Sequence, residues 1–330
     1  MLLTVRYQLR ERQGLLDALY EVAADQLVLR EDDPAARFAA AAPAGTLRIA
    51  GKTVSGEGFS VTFDPKSGFI RSYRLRDVEL LAGPLRPSFY RAATDNDLGV
   101  RQTGKYPDSR MWAEAEPELV NFTLTSGDGG AKAVADYTIP AVGAQLRLAY
   151  AIAADGSIRI GETMTADPAR KDVADLMRFG MAFETPGMFD AVEYYGRGPM
   201  ENYRDRKNAA YMGRYKTTVT DMAEHYARAQ TMGGRTDTHW LALTDGQGKG
   251  LRITATDTLD FSAQHYTDKD LWQVKYGHDL SDIHRAEVVL NLDCIQRGLG
   301  NASCGPGPRP HYEIRKDTVY SYSFRMEPLR

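Results

Sequence analysis

Apolar and polar residues alternate with a period of two along most of this chain. Leu146, Leu148, Tyr150 and Ile152 are separated by small or polar residues, Asp155-Gly156 follows, and Ile158 and Ile160 resume the pattern. That arrangement predicts a hairpin of two half-buried strands. Val288, Leu290, Leu292 and Cys294 alternate with Val289, Asn291 and Asp293; Tyr320, Tyr322, Phe324 and Met326 alternate with Ser321, Ser323 and Arg325. Each run predicts an antiparallel strand with one apolar face. Shorter runs of the same kind occupy 46–50, 59–63, 69–75, 119–125, 133–139, 177–184, 191–195, 239–244 and 250–256. Asp64-Pro65, Ser67-Gly68, the Gly127–Gly130 cluster and the stretch from Asp245 to Gly250 supply turns between them. Helix-period patterns are short and few. The expected fold is all-β, and 330 residues favour two large stacked sheets over a small barrel.

One stretch departs from the pattern. Residues 31–45, EDDPAARFAAAAPAG, are rich in Ala, Pro and acid and read as a linker. Residues 1–30 hold two or three strand-like runs, too few for a sandwich of their own. They are read as the closing strands of a domain whose start is absent, with residues 46–330 as the main domain. No repeat of fixed period is evident.

Composition narrows the partners. The hydrophobic fraction of 43% allows a sizeable core, and a net charge of −3 gives no electrostatic reason for nucleic acid or an acidic membrane. The apolar runs fall short of the ~20 residues of a membrane-spanning helix, and MLLTVRYQLRER lacks the pattern of a secretory signal. Two cysteines, Cys294 and Cys304, show no zinc or C-x-x-C spacing; a buried thiol and a loop thiol are the favoured reading, with a disulfide between them as the alternative.

Three segments are poor at ordinary structural work. YYGRGPMENYRDR, from Tyr194 to Arg206, crowds glycines, a proline, tyrosines and charges together. RAATDNDLG runs from Arg91 to Gly99, and GLGNASCGPG from Gly298 to Gly307 carries four glycines in ten residues. Candidate ligand contacts are Arg91, Asp95, Asn96 and Asp97 in the first loop, Glu201, Asn202 and Arg204 in the tyrosine-rich segment, and Asn301, Ser303 and Cys304 in the glycine-rich one. Asp95-Asn96-Asp97 with Gly99 could offer oxygens to a hard cation, but a turn bonded to its own backbone is favoured over a metal site, and Glu201 with Arg204 equally suits a salt bridge that holds the loop. GRGPME and GLGNAS lack the third glycine of a dinucleotide site. The six histidines form neither H-x-H nor H-x-x-x-H, so no metal site is expected. No spacing singles out a pair of carboxylates for sugar hydrolysis.

FYRAATDNDLGV, YYGRGPMENYRDR, GGRTDTHWLAL, YGHDLSDIHR and LDCIQRGLGNASCGPG occur in an order and at spacings that resemble the C-terminal portion of the glycoside hydrolase family 2 β-galactosidases. The likeness to their small-chain domain covers roughly residues 50–328, and YEVAADQLVL resembles the end of the immunoglobulin-like domain before it. It implies a supersandwich of two antiparallel sheets, similar to galactose mutarotase, that packs on a catalytic barrel and lends loops to a β-galactoside pocket. Two departures stand out. Cys304 falls where relatives place a tryptophan in a pattern like G-x-G-G-D-D-S-W, and Thr231-Met232 replaces an acid-asparagine pair.

The resemblance further implies that the two catalytic glutamates, about 5 Å apart in retaining enzymes, lie in a barrel of roughly 250 residues that this sequence lacks. No catalytic residue and no cofactor is expected in this stretch; any Mg or Na of the parent enzyme belongs to the barrel. The expected partners are a β-galactoside, the barrel of the same polypeptide and further copies in a homo-oligomer, with the compartment open between bacterial cytoplasm and periplasm. Two alternatives remain: a stand-alone mutarotase-type enzyme, and a carbohydrate-binding module using Tyr194, Tyr195, Tyr203, Trp240 or Trp272 as sugar platforms.

Overall fold

The computed structural model describes residues 1–30, 45–102, 108–127 and 129–330. The 31–45 linker therefore lies, except for residue 45, outside the described residues. Two compact units part between residues 40 and 41. In the first, β1 (Leu2–Gln8) and β2 (Glu21–Val28) pair antiparallel, with Leu2 opposite Val28 and Tyr7 opposite Ala23. Leu3, Tyr7, Val22 and Leu27 are all exposed, so this ribbon has strand pairing but no core of its own.

The second unit opens with a five-stranded meander: β3 (Arg48–Ala50), β4 (Thr53–Gly56), β5 (Phe59–Phe63), β6 (Ile70–Leu75) and β7 (Val78–Glu79). The remaining strands share one larger antiparallel sheet. They are β8 (Arg86–Ser88), β9 (Glu118–Gly127), β10 (Gly130–Ile139), β11 (Ala144–Ala153), β12 (Ile158–Ala166), β13 (Arg178–Thr185), β14 (Ala191–Gly198), β15 (Tyr211–Thr218), β16 (Arg235–Thr244), β17 (Gly250–Gln264), β18 (Val288–Gln296) and β19 (Tyr320–Leu329). The main path runs β15-β14-β16-β17-β19-β12-β11-β10-β9, and a branch leaves β17 through β18 and β13 to β8. β17 makes the fork: Gly250–Ala255 pair with β19 and Asp260–Gln264 pair with β18.

Alternation decides which side chains point inward. β11 buries Leu146, Leu148, Tyr150 and Ile152 and exposes the residues between them. Its register with β12 sets Leu146 opposite Met164 and Tyr150 opposite Ile160. Phe59, Val61 and Phe63 of β5 enter the same core. The Phe63 ring lies 5.3 Å from Phe122 and 5.2 Å from Tyr150, and Phe69 stacks 5.4 Å from Tyr137. Each such side chain contributes about 1.5–3 kcal/mol of burial, and together they close the meander over β9–β12. The all-β antiparallel sandwich expected from the alternation is the fold that forms.

Three local expectations are corrected. β18 does not keep one polar face: Asn291 and Asp293 are 1% and 0% exposed, because Arg178 on the neighbouring strand donates to Asn291 and forms an ion pair with Asp293, which also accepts from Gln296. The 95–97 acids begin an eight-residue helix, α1 (Asp95–Gln102), rather than an isolated turn; Thr94 and Asp97 bond each other at its first turn. Tyr194–Gly198 remain in β14 despite two glycines, since Tyr211–Tyr215 of β15 pair along them; the strand stops at the cis Gly198-Pro199 bond. A second short helix, α2 (Asp268–Gln273), starts at a capping box made by Thr267 and Asp270.

Candidate functional site

The three unusual segments meet one another: Asn96 bonds Gly300 and Ser303, and Asp205 bonds Leu299 and Gly300. The first is fixed by Arg91, which is fully buried. Its Nη1 donates to the Arg297 carbonyl at 2.6 Å and its Nη2 to both Asp97 oxygens at 3.2 Å. Asp97 also accepts from the Thr94 N–H and hydroxyl and from Arg297. Every oxygen of Asp97 is thus engaged inside the protein, and a buried charge paired this fully has no capacity left for a ligand. Asn96 reaches the glycine-rich loop: Nδ2 donates to the Gly300 carbonyl at 2.8 Å, and Oδ1 accepts from the Ser303 N–H at 3.1 Å and hydroxyl at 2.7 Å. Asp95 alone of the four faces solvent, 3.8 Å from Arg228.

The tyrosine-rich segment is a hub. Glu201 accepts from Arg206 and the Tyr226 hydroxyl, each at 2.6 Å, and from the Gly233 N–H at 2.7 Å. Its salt bridge is with Arg206, not Arg204, which corrects the pairing expected from the sequence. Asn202 fills all four of its bonds: Nδ2 donates to the carbonyls of Arg197 and Met200, and Oδ1 accepts from the Thr236 N–H and hydroxyl. Asp205 accepts from the Leu299 N–H at 2.9 Å and the Gly300 N–H at 2.8 Å. Lys207 donates to both Asp237 oxygens at 2.8 Å. Arg204 turns inward, where its charge favours the ionised form of the buried Asp260.

That inward direction leads to a buried polar layer. Asp260 and Asp293 stand opposite each other in the β17–β18 ladder. Burial pushes the Asp260 carboxyl up to about 7, with the charge of Asp237 adding to it and Arg204 and Lys207 opposing. Burial likewise pushes Asp293 up to about 8 against the pull of Arg178. Arg178 bonds Asp268 and Asn291 at 2.6 Å and lies 3.1 Å from Asp293. Asp268 in turn accepts the Ala92 N–H at 2.8 Å, so the layer is tied to the first loop. Both aspartates are buried, Asp293 completely, which sets them apart from the exposed loop groups.

In the glycine-rich loop Asn301, Ser303 and Cys304 are exposed. The loop lies so close to α1 that a side chain on Gly99 would come 2.0 Å from the Ala302 carbonyl oxygen. Cys294 and Cys304 are both free thiols, the first half-buried. Asp95, Asn301, Ser303 and Cys304 therefore offer accessible groups. Arg91, Asn96, Asp97, Glu201 and Asn202 hold the loops through internal contacts, while Arg204 is half-buried and acts on Asp260 only through its charge. Thr231 and Met232 are buried, Met232 in a small second core with Ala92, Tyr266 and Leu280.

Sequence reasoning missed Asp205, Lys207 and Arg297. For the first two the signal was the density of charge in RDRK, where Asp205, Arg206 and Lys207 each bond a different partner. Among the aromatic candidates, Tyr194 and Tyr203 are core residues, Trp240 packs between Arg252 and Arg214, and Trp272 lies 5.6 Å from Tyr90. A cavity of about 500 Å³ opens beside Met200, Glu201, Asp205 and Arg206. Among the described residues no group of three His, Cys, Asp or Glu could hold a metal ion.

Fold and loops define a large antiparallel sandwich domain that displays a polar loop cluster braced from within. The chain belongs to the beta galactosidase small chain family, which matches it over residues 55–326. It is 30% identical to a beta-galactosidase of Priestia megaterium over 99% of this chain and 31% of that protein. It is 27% identical to one of Halalkalibacterium halodurans over 82% of this chain and 27% of that protein. The chain thus spans less than a third of the length of these relatives. Among solved structures, a GalM/aldose epimerase homologue from C. elegans aligns over 86% of this chain and 98% of its own, with 10% identity and a TM-score of 0.46.

Proposed function

We propose that this chain is the non-catalytic C-terminal part of a β-galactosidase, an enzyme that hydrolyses terminal β-D-galactosides. It lends the 91–99 and 298–307 loops to the rim of the substrate pocket and supports assembly. The observation that carries this reading is the joining of those two loops through Asn96, which leaves Asp95, Asn301, Ser303 and Cys304 accessible while the other charged groups are braced internally. Such a surface can orient a neutral polyhydroxylated ligand by hydrogen bonds. Of these four residues Asp95 alone carries a carboxyl, whereas cleavage of a glycosidic bond needs two.

In this reading the nucleophile and the acid/base are glutamates of a barrel in the same polypeptide, which also houses any Mg or Na. The β1–β2 ribbon closes an immunoglobulin-like domain that joins barrel to sandwich. Cys304 replaces an aromatic platform, so contacts to the outer sugar fall to Asn301, Ser303 and Asp95. The test is turnover of a nitrophenyl β-galactoside. The 330-residue chain is expected to be inactive and to restore activity when co-expressed with the catalytic part of its parent. Robust turnover by the chain alone overturns the proposal.

A further inference from the structure

Gly300 is gripped at both ends of its peptide. Its N–H donates to Asp205 Oδ2 at 2.8 Å, and its carbonyl accepts from Asn96 at 2.8 Å. The Leu299 N–H donates to the other Asp205 oxygen at 2.9 Å. Gly300 has φ +62°, in the left-handed region. Two successive N–H groups with a left-handed second residue form a concavity that binds an anion, and here the anion is a side chain of the protein itself. Beyond Gly300 the loop is held by contacts that do not involve Asp205: Asn301 N–H to the Pro306 carbonyl, Ser303 N–H to Asn96, and Cys304 N–H to the Asn301 carbonyl.

We propose that Asp205 is the positioning residue of the 298–307 loop: its carboxylate fills the anion concavity at Leu299–Gly300 and thereby sets where Asn301, Ser303 and Cys304 stand. The neighbouring contacts make Asp205 a rigid point. Arg206 is tied to Glu201 and Lys207 to Asp237, so the carboxylate is presented by a backbone fixed on its C-terminal side, while Asn202 fixes the N-terminal side. A carboxylate receiving two N–H bonds from consecutive residues fixes direction as well as distance. The consequence for substrate rests on the function proposed above; the positioning itself does not.

The experiment is residue-resolved amide hydrogen exchange on the 330-residue chain with Asp205→Ala and Asp205→Asn. Asp205→Ala is expected to speed exchange roughly tenfold or more, not only at Leu299 and Gly300 but also at Asn301, Ser303 and Cys304. Sodium formate, against sodium chloride at equal ionic strength, is expected to restore protection by filling the vacated concavity. Asp205→Asn, nearly the same shape, offers one acceptor and one donor to two N–H groups, so it is expected to fall between the two. Unchanged exchange at 301–304 in both variants overturns the proposal, because Asp205 is then only a local contact. Faster exchange that formate does not slow also overturns it. In the full-length parent, Asp205→Ala is expected to raise KM for lactose roughly tenfold with kcat nearly unchanged. If exchange responds as expected and KM does not move, the positioning stands and the place of this loop at the substrate pocket is overturned.

Discussion

Asp260 and Asp293 face each other across β17 and β18, two buried carboxyls in direct cross-strand register. Both carboxyls are raised, to about 7 and about 8, while an unfolded chain leaves them near 3.9. The folded state therefore holds these protons more tightly than the unfolded state. Their contribution to stability is complete below about pH 4 and is lost as pH rises through 7 to 8. The urea midpoint is expected to decline between pH 5 and pH 8. Asp293→Asn, which mimics the protonated form, is expected to flatten that decline; an equally steep decline in the variant would count against it.

Arg178 is the cation that makes this layer tolerable. It is fully buried, and replacing it with methionine leaves Asp268 and Asn291 without their shared donor. Arg178→Met is expected to cost about 3–5 kcal/mol, the usual penalty for stripping one partner from a buried ion pair. Equilibrium urea unfolding measures it. A cost below that of Asp293→Asn would show that the layer is not organised around this guanidinium.

Glu201 and Asn202 sit at the turn out of β14 with every polar atom engaged. Asn202→Ala is expected to lower stability by about 1–3 kcal/mol, since the Thr236 N–H is left buried without a partner. Glu201→Gln keeps the shape but sets an amide donor against either the Gly233 N–H or the Arg206–Tyr226 pair. In the parent enzyme it is expected to reduce activity moderately, well short of the near-total loss caused by removing a catalytic glutamate. Thermal unfolding and nitrophenyl-galactoside turnover, measured on the same preparations, separate the two effects.

Gly99→Ala tests the nesting of α1 against the glycine-rich loop. The added carbon would stand 2.0 Å from the Ala302 carbonyl oxygen, a backbone atom that cannot swing aside. The loop has to move, and a destabilisation of about 1–3 kcal/mol is expected. Calorimetric melting of the chain reads it directly, and an unchanged melting temperature would mean that the loop yields freely.

Strands with strict alternation, such as β11, β12 and β19, were legible because one face meets the core and the other meets water. β15 was not: its sequence, YMGRYKTT, alternates weakly, and it forms because β14 supplies a partner. The buried polar layer was hidden for a related reason. In β18, Asn291 and Asp293 look like solvent-facing residues, but Arg178 and Ser262, distant in sequence, supply partners inside. In the loop cluster the participating segments could be picked out by composition. The division of labour within them could not, because whether a polar residue braces or is left accessible depends on partners far along the chain, as Asp205 with Leu299 shows.

The position of β19 carries a last consequence. It lies between β17 and β12, in the middle of the longest run of paired strands, yet it follows every other described strand in sequence. During synthesis, β9–β12 on one side and β14–β18 on the other emerge first and cannot join. Until residues 320–329 leave the ribosome, both halves present an unpaired edge to the cell. The nascent chain is therefore expected to need protection from aggregation until β19 has emerged, and loss of β19 would separate the sheet into two pieces rather than trim its border.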